Sequence, residues 1–504
     1  MERRRFALSW GRKVFFGLGW PLLCFMSLVF LKSGVVPGNT SSLFYFLVST
    51  VGYYGLLTTV LYFILFVPFA AIFPTYYFVR LWSAFLILLA TSLILIDGMV
   101  FGEYRFHINS LVMKIASTQG PAEVFSGSLS AYFVTAGVTL FLFFVLWIRG
   151  EWLWRTMQKR FSNPVNNWYL ALIVLCLGLS HLMWTKAHTA FYGNEVTLAS
   201  LFPMNYQEMF FPKIHTSSTM TGAELHYPKK ETKCKPKSPS HLIYVVVDGL
   251  GTQDISEGTT SFLKHLEMHG VNFSTHLSGG GSTEDNLFRL IYGIPASYRP
   301  EAGEPVLISE LRKAGYNFGV FSPHRVPGLV DINTWPEWKL AHHDRDPMIP
   351  YFLYFEIGHE PAADMDAKVR EIFTDLQAEK FLSGSTIVIT GTRPSEWDTV
   401  PMTLIGPDRE PGNVEHRTTH YDVTPSIMKR VLHCTGHFAY GKDLMESPTR
   451  DWEIFGNENL FRIVDFTHHN IIESDWRGRV ISGDTSRGDL VLKASKEISR
   501  YYRR

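Results

Sequence analysis

Five apolar stretches crowd the first 190 residues, and each is long enough to cross a hydrocarbon layer of about 30 Å. They run Val14–Leu31, Leu43–Phe73, Tyr77–Phe101, Gly127–Trp147 and Trp168–Lys186. A segment that crosses lipid must satisfy every backbone N–H and C=O internally, so these stretches are predicted to be helices. The first is too long for a cleaved signal peptide and shows no small-residue cleavage site, so it reads as an anchor. The remaining residues have the mixed composition of an ordinary soluble domain. A net charge of +1 gives no basic field for nucleic acid, and no nucleic-acid partner is expected.

The basic residues set an expected orientation. MERRR and GRK precede the first span, and Arg80 is read as lying in the turn between spans two and three. Arg149, Arg155, Lys159 and Arg160 are read as a loop between spans four and five, flanked by Trp147, Trp152, Trp154 and Trp168 as an interfacial belt. All these segments fall on one side, which the excess of positive charge makes cytoplasmic. An odd number of spans then sends the C-terminal part to the other side. Of the four cysteines, Cys24 and Cys176 sit inside spans; Cys234 and Cys434 lie beyond them and are either bridged or two free thiols.

Residues 191–240 read as a connector between a transmembrane part, 1–190, and a folded part, 241–504. Its end, YPKKETKCKPKSPS, is basic and Pro-rich, as a linker would be. Its start is apolar and aromatic: Leu201, Phe202, Met204, Tyr206, Met209, Phe210 and Phe211, followed by Lys213 and His215. Such a segment just after a span is expected either to lie at the membrane surface with its rings among headgroups or to pack as a hinge on the folded part.

From His241 onward, IYVVVDG, NFGVFSP, YFLYFEIG, STIVITG and VPMTLIG read as strands. TTSFLKHLEMHG and ADMDAKVREIFTDLQ read as helices between them. Continuous apolar strands alternating with amphipathic helices predict a mostly parallel α/β sheet, with ligand sites at the C-terminal ends of its strands. Asp248, Pro323–His324, His359 and Gly391–Thr392 fall near such ends.

One stretch there has the look of catalytic machinery. In LSGGGSTEDNLF three glycines lead into Ser282 and Thr283 and then an apolar run. Thr283 is placed where a hydroxyl nucleophile would use the N–H groups and dipole of a helix start. Asp248, after an apolar strand, could be a hard metal ligand. Asp-Gly after a strand is common, however, and STED before an apolar run is also an ordinary helix cap. HHDRD (His342–Asp346), HRTTHYD (His416, His420, Asp422) and THH (Thr467–His469) put metal-capable side chains close together without a known ligand spacing. Asp97, near the end of span three with Glu103, Arg105, His107 and Asn109 close by, is read as a structural contact between the spans and the folded part, against a lipid or proton role.

VVVDG, NFSTHLSGGGSTEDNLFRLIYGIPASY, GYNFGVFSPHR, IVIT and HYDVTPSIMKRVL resemble the sulfatase and alkaline-phosphatase superfamily. Together with the spans and LLATSLILIDGMVFGEYRFHINSLV, they resemble more narrowly the PbgA/YejM family of inner-membrane sulfatase-like proteins. The resemblance implies a multi-pass α-helical membrane domain of five spans plus a periplasmic α/β domain of sulfatase type. It implies an inner-membrane protein of Gram-negative bacteria that binds lipid A or lipopolysaccharide and governs lipopolysaccharide synthesis through a membrane protein partner. Lipid contacts would fall to Phe202, Met204, Tyr206, Phe210, Phe211, Lys213 and His215. The family's segment carries adjacent arginines, where this chain has MFFPKIH, so an anionic phospholipid is an alternative ligand.

In the superfamily pattern, Asp248 matches a metal-binding acid and Thr283 the nucleophile. The Asp-His pair that completes the metal site is replaced by Gly391 and Thr392, and a later His-Gly pair has no counterpart. The expectation is a vestigial site with no metal and no cofactor, in a lipid-sensing regulator that is not an enzyme. The alternative is a metal-dependent phosphatase or a phosphoethanolamine- or glycerol-phosphate-type transferase with Thr283 as nucleophile and one Zn, Mn or Mg ion.

Overall fold

In the computed structural model the chain forms two compact units: Met1–Glu224 with Trp476–Arg479 and Ser495–Arg504, and Leu225–Asp475 with Val480–Ala494. The connector 191–240 is thus divided between them. The structure describes residues 2–33, 36–124, 129–159, 168–189, 198–203, 225–227, 232–235, 240–299, 302–323, 325–329, 334–335, 348–407, 409–446, 450–457, 460–475 and 478–502.

Among the described residues, the membrane unit contains five apolar helices of spanning length: Glu2–Lys32, Thr40–Ile72, Tyr76–Tyr104, Ala136–Lys159 and Trp168–Lys186. Spans two and five approach closely because small residues face the contact. A Cβ added at Gly55 would lie 2.5 Å from Ile173, and one at Gly52 would lie 3.0 Å from the Leu177 backbone nitrogen. Ser49 and Ser180 hydroxyls meet across the same contact at 2.7 Å.

Span four departs from the expected Gly127–Trp147. Its helix runs on to Lys159, through the turn read as a basic loop. Within this extension lies an ion pair. Arg80 is not in a turn but inside span three, 4% exposed, where it pairs with Glu151. Its guanidinium also donates to the Trp147 carbonyl and lies 4.1 Å from the Trp147 ring centroid. Glu151 takes Arg155 as well. With their charges matched, residues 148–159 remain helical, and Trp154 packs edge-on against Phe6, Trp10 and Tyr76 instead of lining a loop.

The second unit is an α/β domain. Its main sheet contains β1 (Leu242–Asp248), β2 (Val271–Phe273), β4 (Asn317–Phe321), β5 (Thr334–Trp335), β6 (Tyr351–Ile357), β7 (Thr386–Thr392), β8 (Met402–Ile405) and β9 (Gly412–Val414), while β3 (His276–Leu277) pairs separately with β10 (Thr418–Thr419). The order is β5-β4-β6-β1-β7-β8-β2-β9. Every neighbouring pair is parallel except those made by β8, which runs against β7 and β2. The sheet is therefore mostly parallel, as the continuous apolar strands require. β1 lies at its centre, with Ile243, Val245 and Val247 fully buried among the residues of the main core. A separate antiparallel sheet of β11 (Trp452–Gly456), β12 (Phe461–Asp465), β13 (Asn470–Ser474) and β14 (Val480–Ser482) was not read from the sequence.

Among the described residues, the helices of this domain are α1 (Ser261–Met268), α2 (Thr283–Tyr292), α3 (Val306–Lys313), α4 (Ala362–Ala378) and α5 (Val423–Arg430), while α6 (Gly488–Ser499) begins in it and ends in the first unit. Cys234 and Cys434 are bonded as a disulfide, which settles the choice left open between a bridge and free thiols. The bridge fastens the connector's end to the turn after α5, where Lys233 and Thr435 also pair through their backbones.

Candidate functional site

Parallel pairing of β1 with β7 sets Asp248 directly beside Thr392. α2 starts opposite them. Its first residue is Thr283 and its cap is Ser282, whose hydroxyl accepts the Asp285 N–H at 3.1 Å. The preceding Gly279, Gly280 and Gly281 have φ of +98°, +67° and +81°, a left-handed run that only glycine tolerates well. Arg289, fully buried, holds this turn by donating to the Gly280 carbonyl at 2.8 Å and the Gly456 carbonyl at 2.6 Å. The glycines thus form a fixed turn that presents Thr283 to the strand ends.

At the centre sits the Asp248 carboxylate. Its Oδ1 accepts the Thr283 hydroxyl at 2.9 Å and the Thr392 hydroxyl as well. The structure thus brings together both residues read as catalytic, and Thr392 joins them. The three residues at the superfamily's Asp-His-Gly position each have a different task here. Gly391 lets the backbone of Leu250 approach: a Cβ there would stand 2.2 Å from the Leu250 carbonyl oxygen. Thr392, 1% exposed, ties β7 to Asp248. Arg393 pairs with Asp254, which itself accepts the Gly251 N–H and so closes the loop after β1. Its backbone also meets Ser278 and Asn286.

A divalent ion asks for three or four protein ligands. Asp248 supplies one carboxylate, one of whose oxygens already takes two hydroxyl hydrogens. Gly391 has no side chain and no room for one. Thr392 and Thr283 are weak, neutral donors spent on that same oxygen. His359 packs its ring against Gly249, its Nδ1 only 1.8 Å from where a Cβ would be. These residues do not fit a divalent metal, and among the described residues no three His, Cys, Asp or Glu side chains converge to hold one.

The other clusters have structural partners. His416 Nε2 meets the Leu444 carbonyl at 2.9 Å. Asp422 pairs with buried Arg450, which also pairs with Glu453. His420 is fully buried: its Nδ1 donates to the Asn286 carbonyl at 3.2 Å, so its Nε2 accepts from the Thr390 hydroxyl. Burial holds this ring neutral and pushes its pKa down to about 3. Buried His276, 5.2 Å away between centroids, is pushed well down by the same burial and by His420. His468 pairs with Asp465. His342–Asp346 and His324 lie outside the described residues.

Of the seven residues assigned to lipid, Met204, Tyr206, Phe210, Phe211, Lys213 and His215 also lie outside the described residues. Phe202 is 5% exposed, enclosed by the rings of Phe46, Tyr53 and Tyr54. Asp97 is buried and pairs with His107 at 2.6 Å, so its partners lie within the membrane unit rather than in the folded domain. Sequence reasoning missed Arg289 and Arg393. The signal for Arg393 was present, since GTR stands where Asp-His-Gly would.

Residues 2–210 match a family described as a domain of unknown function, DUF3413. The chain is 20% identical over 490 residues to the inner membrane protein YejM of Salmonella typhimurium, covering 82% of each chain. It is 24% identical over 489 residues to an uncharacterized protein of Haemophilus influenzae, covering 84% of this chain and 82% of that one. Among solved structures, an alkaline-phosphatase-superfamily protein from Vibrio parahaemolyticus aligns with a TM-score of 0.41 and 12% identity, over 60% of this chain and 98% of its own. The match to YejM takes in both the spans and the α/β domain, so the chain is similar to that inner membrane protein across most of its length.

Proposed function

We propose that this chain is a non-catalytic regulator in the Gram-negative inner membrane. It senses lipid A or lipopolysaccharide and adjusts lipopolysaccharide synthesis, and so outer-membrane homeostasis, through a membrane protein partner. The N-terminus faces the cytoplasm and the α/β domain the periplasm, as the distribution of basic residues supports. The observation that carries the non-catalytic part is the filling of the Asp248 site. Gly391 admits the Leu250 carbonyl, and Thr283 and Thr392 occupy one oxygen of the carboxylate. The lipid part is supported by the family resemblance and by the composition of residues 202–215: rings for acyl chains, Lys213 and His215 for phosphates.

The second reading is the enzyme, a metal-dependent phosphatase or phosphoethanolamine- or glycerol-phosphate-type transferase. One observation favours it: Thr283 Oγ1 lies 2.9 Å from a carboxylate, at the start of a helix, where a nucleophile would be held. Two measurements on the detergent-purified full chain separate the readings. One is metal content by elemental analysis, for wild type and for the Asp248→Ala, Thr283→Ala double variant. The other is binding of hexa-acylated lipid A by wild type and Thr283→Ala. No stoichiometric metal, with lipid A bound equally by both proteins, is the expected result. About one zinc, manganese or magnesium per chain, lost in the double variant together with release of phosphate from lipid A, overturns the non-catalytic proposal.

A further inference from the structure

Asp97 lies near the C-terminal end of span three and is 6% exposed. A carboxylate there is costly unless its oxygens are matched. The chain matches them by folding back past the span. Asp97 Oδ2 meets His107 Nδ1 at 2.6 Å, and Oδ1 accepts the Ile108 N–H at 2.7 Å. The other ring nitrogen, His107 Nε2, meets the Ser200 carbonyl at 2.7 Å. A carbonyl only accepts, and so does an ionised carboxylate, so carboxyl and ring together carry two hydrogens for these contacts.

Around this relay the packing is aromatic. The His107 ring stacks on Phe101 of span three at 4.7 Å and meets Phe30, near the end of span one, edge-on at 5.4 Å. Two residues after Ser200, Phe202 sits among the three rings of span two, and the Tyr53 hydroxyl donates to the Pro203 carbonyl. The short turn 198–203 is therefore held directly by span two and by His107, which in turn is held by Asp97 and Phe101 of span three and Phe30 of span one.

We infer that Asp97 and His107 are positioning residues. They clamp the turn 198–203 to the spans, so that a change in the chain just beyond the turn alters the packing at the ends of spans one to three. The regulatory meaning of the clamp rests on the lipid-sensing reading above. The clamp itself does not, because all its contacts are between described residues of the membrane unit.

Hydrogen exchange by mass spectrometry on the full chain tests it, in nanodiscs of phosphatidylethanolamine and phosphatidylglycerol, with and without hexa-acylated lipid A. Without lipid A, His107→Ala is expected to speed exchange at 200–202 by about threefold to tenfold, the loss of the hydrogen bond to the Ser200 carbonyl. Protection in β1 and β7 stays as in wild type. Asp97→Asn, which keeps an acceptor for the Ile108 N–H, gives a smaller change of the same sign. Unchanged rates at 200–202 in both variants overturn the clamp. So does an equal loss of protection throughout the spans, which would mark a fold-wide role. With lipid A, wild type is expected to gain protection around Phe30 and Tyr53, and the variants to lose that response while still binding lipid A. A response that survives in both variants overturns the coupling. No lipid A response in wild type sinks the lipid reading and the coupling with it, while the lipid-free rates still decide the clamp.

Discussion

Restoring the superfamily's Asp-His pair is the sharpest perturbation the Asp248 site offers. The double variant Gly391→Asp, Thr392→His would supply two metal ligands beside Asp248 on paper. The structure opposes it at both positions. At 391 the new Cβ would lie 2.2 Å from the Leu250 carbonyl oxygen, with Pro401 Cδ at 3.2 Å. The obstructing atom is backbone, so the strands must part, which costs about 1–3 kcal/mol by the measure of overpacked cores. At 392 the variant removes the hydroxyl that serves Asp248 and puts a larger ring at a position 1% exposed. A lost hydrogen bond to a charged group costs about 1.5–3 kcal/mol. Together these come to about 2.5–6 kcal/mol, and at about 2–4 °C per kcal/mol for a domain of this size the Tm falls by roughly 10 °C. The assay is thermal unfolding of the full chain in detergent, with metal content measured on the same sample after dialysis against zinc. Gly391→Ala serves as the steric control, since it adds only the Cβ, and it should account for the first contribution alone. A double variant as stable as wild type that also takes up one zinc per chain would refute the reasoning, because the site would then be a metal site lacking only its ligands.

Three further outcomes are expected. The Cys234–Cys434 bridge closes a sequence separation of 200 residues, so Cys434→Ser should cost about 3–5 kcal/mol, and reducing agent should lower the Tm of wild type but not of the variant. His420 is depressed to about 3 against an unfolded value of about 6.5. Its folded form therefore binds fewer protons, and stability is full above pH 6.5 and falls as pH drops below it. The loss from this ring alone at pH 5 is about 2 kcal/mol, readable as a fall in urea midpoint between pH 7.5 and 5 that is shallower in His420→Gln. Arg450→Ala leaves Asp422 and Glu453 buried without their cation, and should destabilise the α/β domain by about 3–5 kcal/mol in urea titration, more than Arg450→Lys.

Much of the architecture was legible because single-residue chemistry and simple periods determine it. Apolar runs long enough to cross lipid can only be helices there, and the continuous apolar strands ending in Asp248, Ile357 and Thr392 belong in a buried, mostly parallel sheet. The replacement of Asp-His by Gly391–Thr392 was equally visible, since it is a matter of which side chains exist. What a residue does when its partner lies far along the chain was not legible. Arg80 and Glu151 are 71 positions apart, and their meeting on the extension of span four is invisible in the sequence. Thr283, Thr392 and Asp248 meet only once β1, β7 and α2 are assembled, and only then does Gly391 appear as room for a carbonyl rather than as a missing ligand. The turn at 198–203 is the same case. Its apolar, aromatic composition suits a membrane-surface segment or a hinge equally, and its fixed place in the membrane unit comes from an aspartate about a hundred residues earlier that must have a partner in an apolar surrounding. The sequence by itself determined which segments must be helix or strand and which ligands are lacking. Tertiary structure alone decided where each buried charge finds its counterpart, because that pairing depends on the approach of segments whose separation along the chain carries no signal.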